Sequence, residues 1–210
     1  MGVAEQWDRI ARWCAEHTPI TARSLRPGLG TEQIDAAEHD SGLTWPQELR
    51  ELFTVQNGAV RVDEATGRYP GSVVPMQVLL SADDALERRA GMLEVWRELI
   101  RADPDMFDQD PFEAGDRQPA GTSAWMFLPS FMPFSDRDGY LYFVDTRPGP
   151  RHGCVTEYAH ADTDSRGPKW DSITAMLTEH ADALETDGTV GHFRPSVTDG
   201  TLDWKIVRAQ

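Results

Sequence analysis

The first segment with possible chemistry is a pair of glycines in GLGTEQ, residues 28–33. It carries the first two glycines of a dinucleotide-binding loop but lacks the third, and no predicted strand precedes it. The chain contains no Walker sequence and no Gly-x-Ser-x-Gly nucleophile turn. We therefore predict that this segment starts a helix and that the protein binds no cofactor.

The histidines and cysteines offer a second possibility. The six histidines are scattered, and none forms an i, i+4 pair on a predicted helix, so no zinc site is predicted. His152 and His160 flank a predicted strand near Cys154. This order allows a catalytic site in which a histidine activates the Cys154 thiol as a nucleophile. A buried structural thiol beside two loop histidines is the simpler interpretation. No catalytic residue is predicted, and an undetected hydrolase is the remote alternative.

The segment SDRDGY, residues 135–140, could hold a metal ion. Asp136, Asp138 and Gly139 resemble the start of a calcium-binding loop. The fifth and twelfth positions of such a loop need oxygen ligands, and here they hold Tyr140 and Arg147. We predict a tight Asp-Gly turn between two strands, and no metal site.

Charge limits the classes of partner. The chain has 20 Lys plus Arg and 35 Asp plus Glu, a formal net charge of −15, which repels nucleic acid and anionic membranes. A basic protein partner fits this charge, although an ordinary acidic protein without such a partner fits it too. There is no signal-like N-terminus and no apolar run near the roughly 18 residues that span a bilayer. We predict a cytoplasmic protein in which Cys14 and Cys154 are reduced.

The spacing of apolar residues predicts both helices and strands. Trp7, Ile10 and Cys14 share one face of a first helix that ends near Thr18 and Pro19. Further helices are predicted at residues 31–42, 46–58, 81–100 and 170–184. Strands are predicted at residues 73–80, 125–128, 140–144 and 154–158, with a terminal hairpin turning at Asp199 and Gly200. This order predicts an α+β fold with a central, mainly antiparallel or mixed sheet packed with helices.

One acidic segment is the candidate contact surface. Residues 103–116 contain six acidic residues and no basic one, and we predict a long surface loop that runs on to about residue 122. Carboxylates beside aromatic side chains supply both long-range attraction and desolvated contacts, so we predict partner binding here and at the turn 135–140. A loop without any contact remains the alternative. The predicted contact residues are Asp103, Asp105, Met106, Phe107, Asp108, Asp110, Phe112, Asp136, Arg137, Asp138 and Tyr140.

Three segments, taken in order, resemble one protein family. LRPGLGTEQIDAAE at residues 25–38 is followed by LTWPQELRELFTVQNG at 43–58 and by LPSFMPFSDRDGYLYFVDTRPGPRHGCVTEY at 128–158. Together with the Trp-led first helix, they resemble the SUKH superfamily, which includes the fungal Smi/Knr cell-wall regulators and many bacterial immunity proteins. Residues 81–123 have no counterpart in this resemblance. We therefore predict one domain, residues 1–210, with an insertion at about 81–123.

The resemblance implies an α+β fold and a role in protein recognition, with no cofactor and no catalytic residues. Bacterial members commonly neutralise toxins, and the frequent Ala, Arg, Asp and Trp resemble the usage of a high-GC bacterium. The leading hypothesis is therefore an immunity-type protein that neutralises a basic toxin. A regulatory or scaffold protein of the same fold, without a toxin partner, is the alternative. The sequence leaves the oligomeric state open.

Overall fold

A computed structural model describes residues 2–159 and 162–207, and its elements confirm the predicted α+β class. The helices are α1 (Val3–His17), α2 (Pro19–Ser24), α3 (Thr31–Ser41), α4 (Gln47–Val55), α5 (Ala82–Ala102), a 3₁₀ turn (Pro104–Met106), α6 (Pro111–Asp116) and α7 (Ile173–Thr186). The strands are β1 (Leu25–Pro27), β2 (Gln56–Ala59), β3 (Val78–Leu79), β4 (Phe131–Arg137), β5 (Tyr140–Asp145), β6 (Val155–Tyr158), β7 (Pro168–Trp170), β8 (Phe193–Thr198) and β9 (Thr201–Ile206).

Several of these helices begin and end at signals that the sequence shows. Ser81 precedes α5, and its hydroxyl accepts a hydrogen bond from the Asp84 N–H at 3.1 Å. Gly42 follows α3 at a φ of 66°, in the left-handed region where glycine carries no Cβ penalty. The GLGTEQ segment leads directly into α3, whose first residue is Thr31. These predictions are confirmed, because caps and stops act within a few residues.

A five-stranded antiparallel sheet, ordered β3-β4-β5-β6-β7, forms the centre of the structure. The predicted strands at 140–144 and 154–158 are confirmed as β5 and β6, and the predicted edge strand is reduced to β3. The predicted strand at residues 125–128 is wrong, since that segment is irregular. β4 was not predicted because Pro133 interrupts it, next to an irregularity in its register with β5.

The terminal hairpin was predicted to form part of the central sheet, and that placement is wrong. It turns at Asp199 and Gly200 as predicted, with β8 and β9 in antiparallel register. However, it pairs as a separate two-stranded sheet and does not extend the central sheet. Its buried side chains, Leu202 and Trp204, pack into the main core, which explains why an isolated hairpin can hold its position.

The two faces of the central sheet bury two different clusters. One face packs against α1, α4 and α7, whose buried side chains include Ile10, Phe53 and Leu177. The opposite face is covered by α5 and by the irregular segment 126–128. The side chains of this second core are Met92, Leu93, Met126, Phe127, Leu128, Phe131, Leu141, Phe143 and Tyr158. The segment predicted as an insertion therefore completes the hydrophobic core on the second face of the sheet.

Asn57 and Gly58 were predicted to end the helix α4, and the structure gives them another role. α4 ends at Val55, and both residues lie in β2. The Asn57 side chain accepts a hydrogen bond from the Ala82 N–H at 2.8 Å, and so satisfies one free donor at the start of α5. A Cβ on Gly58 would lie 2.4 Å from the Ser81 nitrogen, so only glycine lets β2 pass this close to α5.

Candidate protein-binding site

The acidic segment is more ordered than the predicted loop. It contains the 3₁₀ turn and then α6, in which Pro111 occupies the first turn. The Asp110 carboxylate accepts hydrogen bonds from the N–H groups of Phe112 at 2.9 Å and Glu113 at 3.3 Å. This Asp-Pro start is a regular helix-initiating signal, and it explains why the segment is not an unstructured loop.

A buried ion pair fastens the end of this segment to the sheet. The side chains of Arg147 and Asp145 are each 1% exposed and lie 2.7 Å apart at Nη2 and Oδ2. Arg147 also donates to the carbonyls of Gly115 at 3.0 Å and Thr122 at 2.6 Å, and the Gly121 N–H donates to Asp145 at 2.8 Å. The segment after α5 is therefore held at its return point by the hydrogen bonds of a buried ion pair.

The same segment carries a surface that combines apolar and acidic groups. Met106 is 52% exposed, and Phe107 and Phe112 are half-buried in the wall of a groove of about 450 Å³. Arg97 and Arg101 of α5 form the opposite wall and both contact Glu94. We define the insertion surface as Asp103, Asp105, Met106, Phe107, Asp108, Asp110 and Phe112, in which all four aspartates are exposed.

The second predicted contact region is the β4–β5 turn, and here the residues differ in accessibility. Asp138 and Gly139 have φ values of 52° and 88°, which is the tight Asp-Gly turn that was predicted. Arg137, Asp138 and Tyr140 are exposed. The Asp136 side chain is only 1% exposed, and its carboxylate accepts from Arg88 at 2.6 Å and Arg61 at 3.2 Å. Asp136 therefore organises the turn and two arginines, and it offers no contact surface of its own.

The structure does not bring the two predicted regions together. Helix α5 carries both Arg88, which contacts the β4–β5 turn, and Arg101, which lines the groove of the insertion surface. At 1.5 Å per residue they are separated by roughly 20 Å along the axis of α5. The insertion surface and the turn are thus two separate regions, which contact different parts of α5.

Sequence reasoning missed a third feature, which lies beside the turn. A groove of about 630 Å³ runs between α5, β3 and the segment that follows β2. We call it the edge groove and define it by Arg26, Arg61, Val62, Leu79, Arg88 and Gly91. Its arginines come from three distant parts of the chain, so no local spacing marks it. The one available signal was an isolated glycine, Gly91, inside the predicted helix.

The remaining candidate residues are the two cysteines and the histidines near Cys154. Cys14 lies on the inner face of α1 as predicted, neither cysteine is in a disulfide, and burial raises the pKa of both thiols to about 11. A buried, protonated thiol such as Cys154 is a weak nucleophile. His152 hydrogen-bonds the Arg147 carbonyl at 3.0 Å, and His160 lies outside the described residues. Within residues 2–159 and 162–207, no three His, Cys, Asp or Glu side chains cluster as metal ligands would.

Parts of this sequence are similar to a known family and to a known protein. The model of the SMI1 / KNR4 family (SUKH-1) matches residues 28–179, more than two thirds of the chain. A protein of Neurospora crassa called "Glucan synthesis regulatory protein" is 26% identical over 85 residues, which is 40% of this chain but 15% of that protein. The chain thus spans a small part of that relative's length. Among the helices of the described residues, none has the length and apolar character needed to cross a bilayer.

Proposed function

This chain belongs to the SMI1/KNR4 family (SUKH-1), and from that premise we propose that it is a non-enzymatic domain that binds another protein through the insertion surface. The observation that carries the proposal is the exposed Met106 beside Phe107 and Phe112, surrounded by four exposed aspartates. Aromatic and methionine side chains supply the desolvated centre of many interfaces, and surrounding charges steer the encounter.

The partner that fits this surface is a protein with a basic face. Asp103, Asp105, Asp108 and Asp110 lie within a stretch of eight residues, and no basic residue interrupts them. Attraction between opposite charges raises the association rate at low salt, whereas the apolar centre mainly determines how slowly the complex dissociates. A regulatory role agrees with the name of the Neurospora relative, and it is the function that we place first.

The first experiment locates the interface, and a second one measures how charge affects the association rate. A photo-crosslinking amino acid at Met106 is expected to capture a partner in the protein's own cells. The same group at Val197, which is 49% exposed on the separate hairpin, is the matched control. Capture from both positions, or from neither, would contradict docking at the insertion surface.

Charge steering is then measured on the captured partner. Replacing Asp105, Asp108 and Asp110 by Asn removes three charges, and it keeps the helix start because asparagine also caps helices well. Association is expected to slow at low salt and to converge with the parent as salt rises. The control replaces the exposed Glu5, Asp8 and Glu16 of α1 by their amides, which removes the same charge from another face. Equal rates for the two triple variants would exclude steering by the insertion surface.

Neutralisation of a toxin is the second candidate function. The formal charge of −15 supports it, because an acidic inhibitor associates quickly with a basic toxin. The test is co-expression with the product of the neighbouring gene, when that product arrests growth alone. Rescue by the parent and weaker rescue by the triple Asn variant are expected. Growth arrest that persists with the parent would leave the regulatory function as the better interpretation.

A further inference from the structure

Trp125 is an exposed tryptophan on a strained backbone. The residue is 65% exposed, and its φ of 60° lies in the left-handed region, where Cβ comes too close to the following carbonyl oxygen. The next three residues, Met126, Phe127 and Leu128, are buried in the second core. The backbone is therefore fixed to the core on one side of Trp125, while the indole itself projects into solvent.

A buried carboxylate holds this conformation. Asp164 is 2% exposed and accepts hydrogen bonds from the N–H groups of Ala124 and Trp125, both at 2.7 Å, and from the Ser123 hydroxyl at 3.0 Å. Within the described residues, Asp164 takes part in no ion pair. These hydrogen bonds fix the direction of the indole without burying it. Because a strained backbone and a buried, unpaired charge both lower stability, a contact outside the chain explains the arrangement better than packing does.

Both faces of the Trp125 ring are open. Within the part of the chain that the structure describes, no aromatic ring stacks on it and no Arg or Lys lies over it. By contrast, Lys169 lies 4.8 Å from the centre of the Tyr142 ring and 5.4 Å from that of Trp170. Tryptophan attracts a cation over its face more strongly than the other aromatic side chains do. The exposed indole therefore offers a face to a cation from another molecule.

The charges of the segments that meet at this tryptophan favour such a cation. Residues 118–128 contain no charged side chain, and the β6–β7 connection supplies Asp162, Asp164 and Arg166. Arg166 contacts Asp162 at 3.4 Å, and its side chain is 77% exposed. Arg151, whose stem approaches residues 118–128, is exposed as well. Water and salt screen these exposed charges, whereas the buried Asp164 carboxylate is screened much less, so its negative charge has the largest effect at the indole.

We propose that Trp125 binds an arginine or lysine side chain of a partner protein, with the cation over the face of the indole. The fixed backbone adds to the affinity, because a preorganised aromatic side chain loses little conformational freedom on binding. The inference goes beyond the insertion surface and does not rest on it, since none of the residues that define that surface carries the argument.

The experiment uses the full chain and a phage-displayed library of random peptides, first depleted on the Trp125→Asn variant. Asparagine tolerates the left-handed region, so this variant should be at least as stable as the parent. Peptides that contain arginine or lysine are expected to be enriched. Their dissociation constants are expected to rise about fivefold or more with Trp125→Leu, which keeps an apolar side chain but no aromatic face. Tyr69→Leu, at another exposed aromatic residue, is the matched control and should leave them unchanged.

A double-mutant cycle then tests the contact itself. The basic residue of a selected peptide is replaced by an uncharged one of similar length, citrulline for arginine or norleucine for lysine. With the parent, the dissociation constant is expected to rise about fivefold or more, whereas with Trp125→Leu the same replacement should have little effect. The proposal is overturned if no peptide is enriched, if the enriched peptides lack basic residues, if Trp125→Leu binds them as the parent does, or if the uncharged residue weakens binding equally to both proteins.

Discussion

Replacing Arg147 by methionine is expected to loosen the attachment between the insertion and the sheet. The guanidinium contacts the end of α6, the segment before β4 and the carboxylate at the end of β5. It also lies over the Phe131 ring, 5.1 Å from its centre. Methionine keeps much of the aliphatic stem, so the substitution removes mainly polar contacts and leaves only a small cavity.

The expected loss of unfolding free energy follows from the contacts that Asp145 would keep. Asp145 would keep two backbone donors, the N–H groups of Gly121 and residue 147, but it would lose its counter-charge while staying buried. Removing one partner of a buried, hydrogen-bonded ion pair costs about 3–5 kcal/mol of unfolding free energy. The double variant that also carries Asp145→Asn should recover at least about 1 kcal/mol, because the unpaired charge is then gone.

The assay is urea unfolding followed by tryptophan fluorescence, with amide hydrogen exchange at residues 103–122 as the local readout. Arg117→Met is the control, since Arg117 and its partner Glu113 are both mostly exposed. Exposed pairs contribute at most about 1 kcal/mol, so the control should stay within that range. If Arg147→Met also stays within about 1 kcal/mol of the parent, the buried pair does not hold the insertion, and our reasoning on it is refuted.

Three further predictions concern single side chains. Burial lowers the pKa of His180 to about 4 from about 6.5. The unfolding free energy should therefore reach its full value above pH 6.5 and fall by up to about 3 kcal/mol as the pH approaches 4. Urea unfolding of His180→Phe should lack this pH dependence. Gly58→Ala should cost at least about 1 kcal/mol in the same assay, and more than Gly67→Ala, which is also left-handed but has open space around it. Cys14 and Cys154 should react slowly with iodoacetamide in the native protein and quickly in urea, and fast native alkylation would contradict their burial.

Predictions from the sequence succeeded where a signal and its effect lie close together in the chain. The Ser81 cap, the Gly42 stop and the Asp138–Gly139 turn each depend on contacts within a few residues. The start of α6 carried an equally local signal in Asp110 and Pro111. It was missed because the many charges of this segment favoured a loop, although helix capping needs only one well-placed carboxylate.

The errors arose where distant residues decide the local structure. Residues 125–128 have the composition of a strand, but the Asp164 carboxylate accepts from the N–H groups of Ala124 and Trp125, both at 2.7 Å. Trp125 takes a φ of 60°, which β-structure does not allow. Asp136 was predicted as a contact residue because it lies in a turn that combines charges with an apolar group. The two arginines that contact its carboxylate come from the segment that follows β2 and from α5. The sequence does not show that these two parts of the chain lie close together.

The formal charge of −15 describes the whole chain, but it does not describe every surface. The exposed aspartates of the insertion surface and the arginines of the edge groove lie toward opposite ends of α5, roughly 20 Å apart. At physiological salt the Debye length is about 8 Å, so the acidic end contributes little potential at the groove.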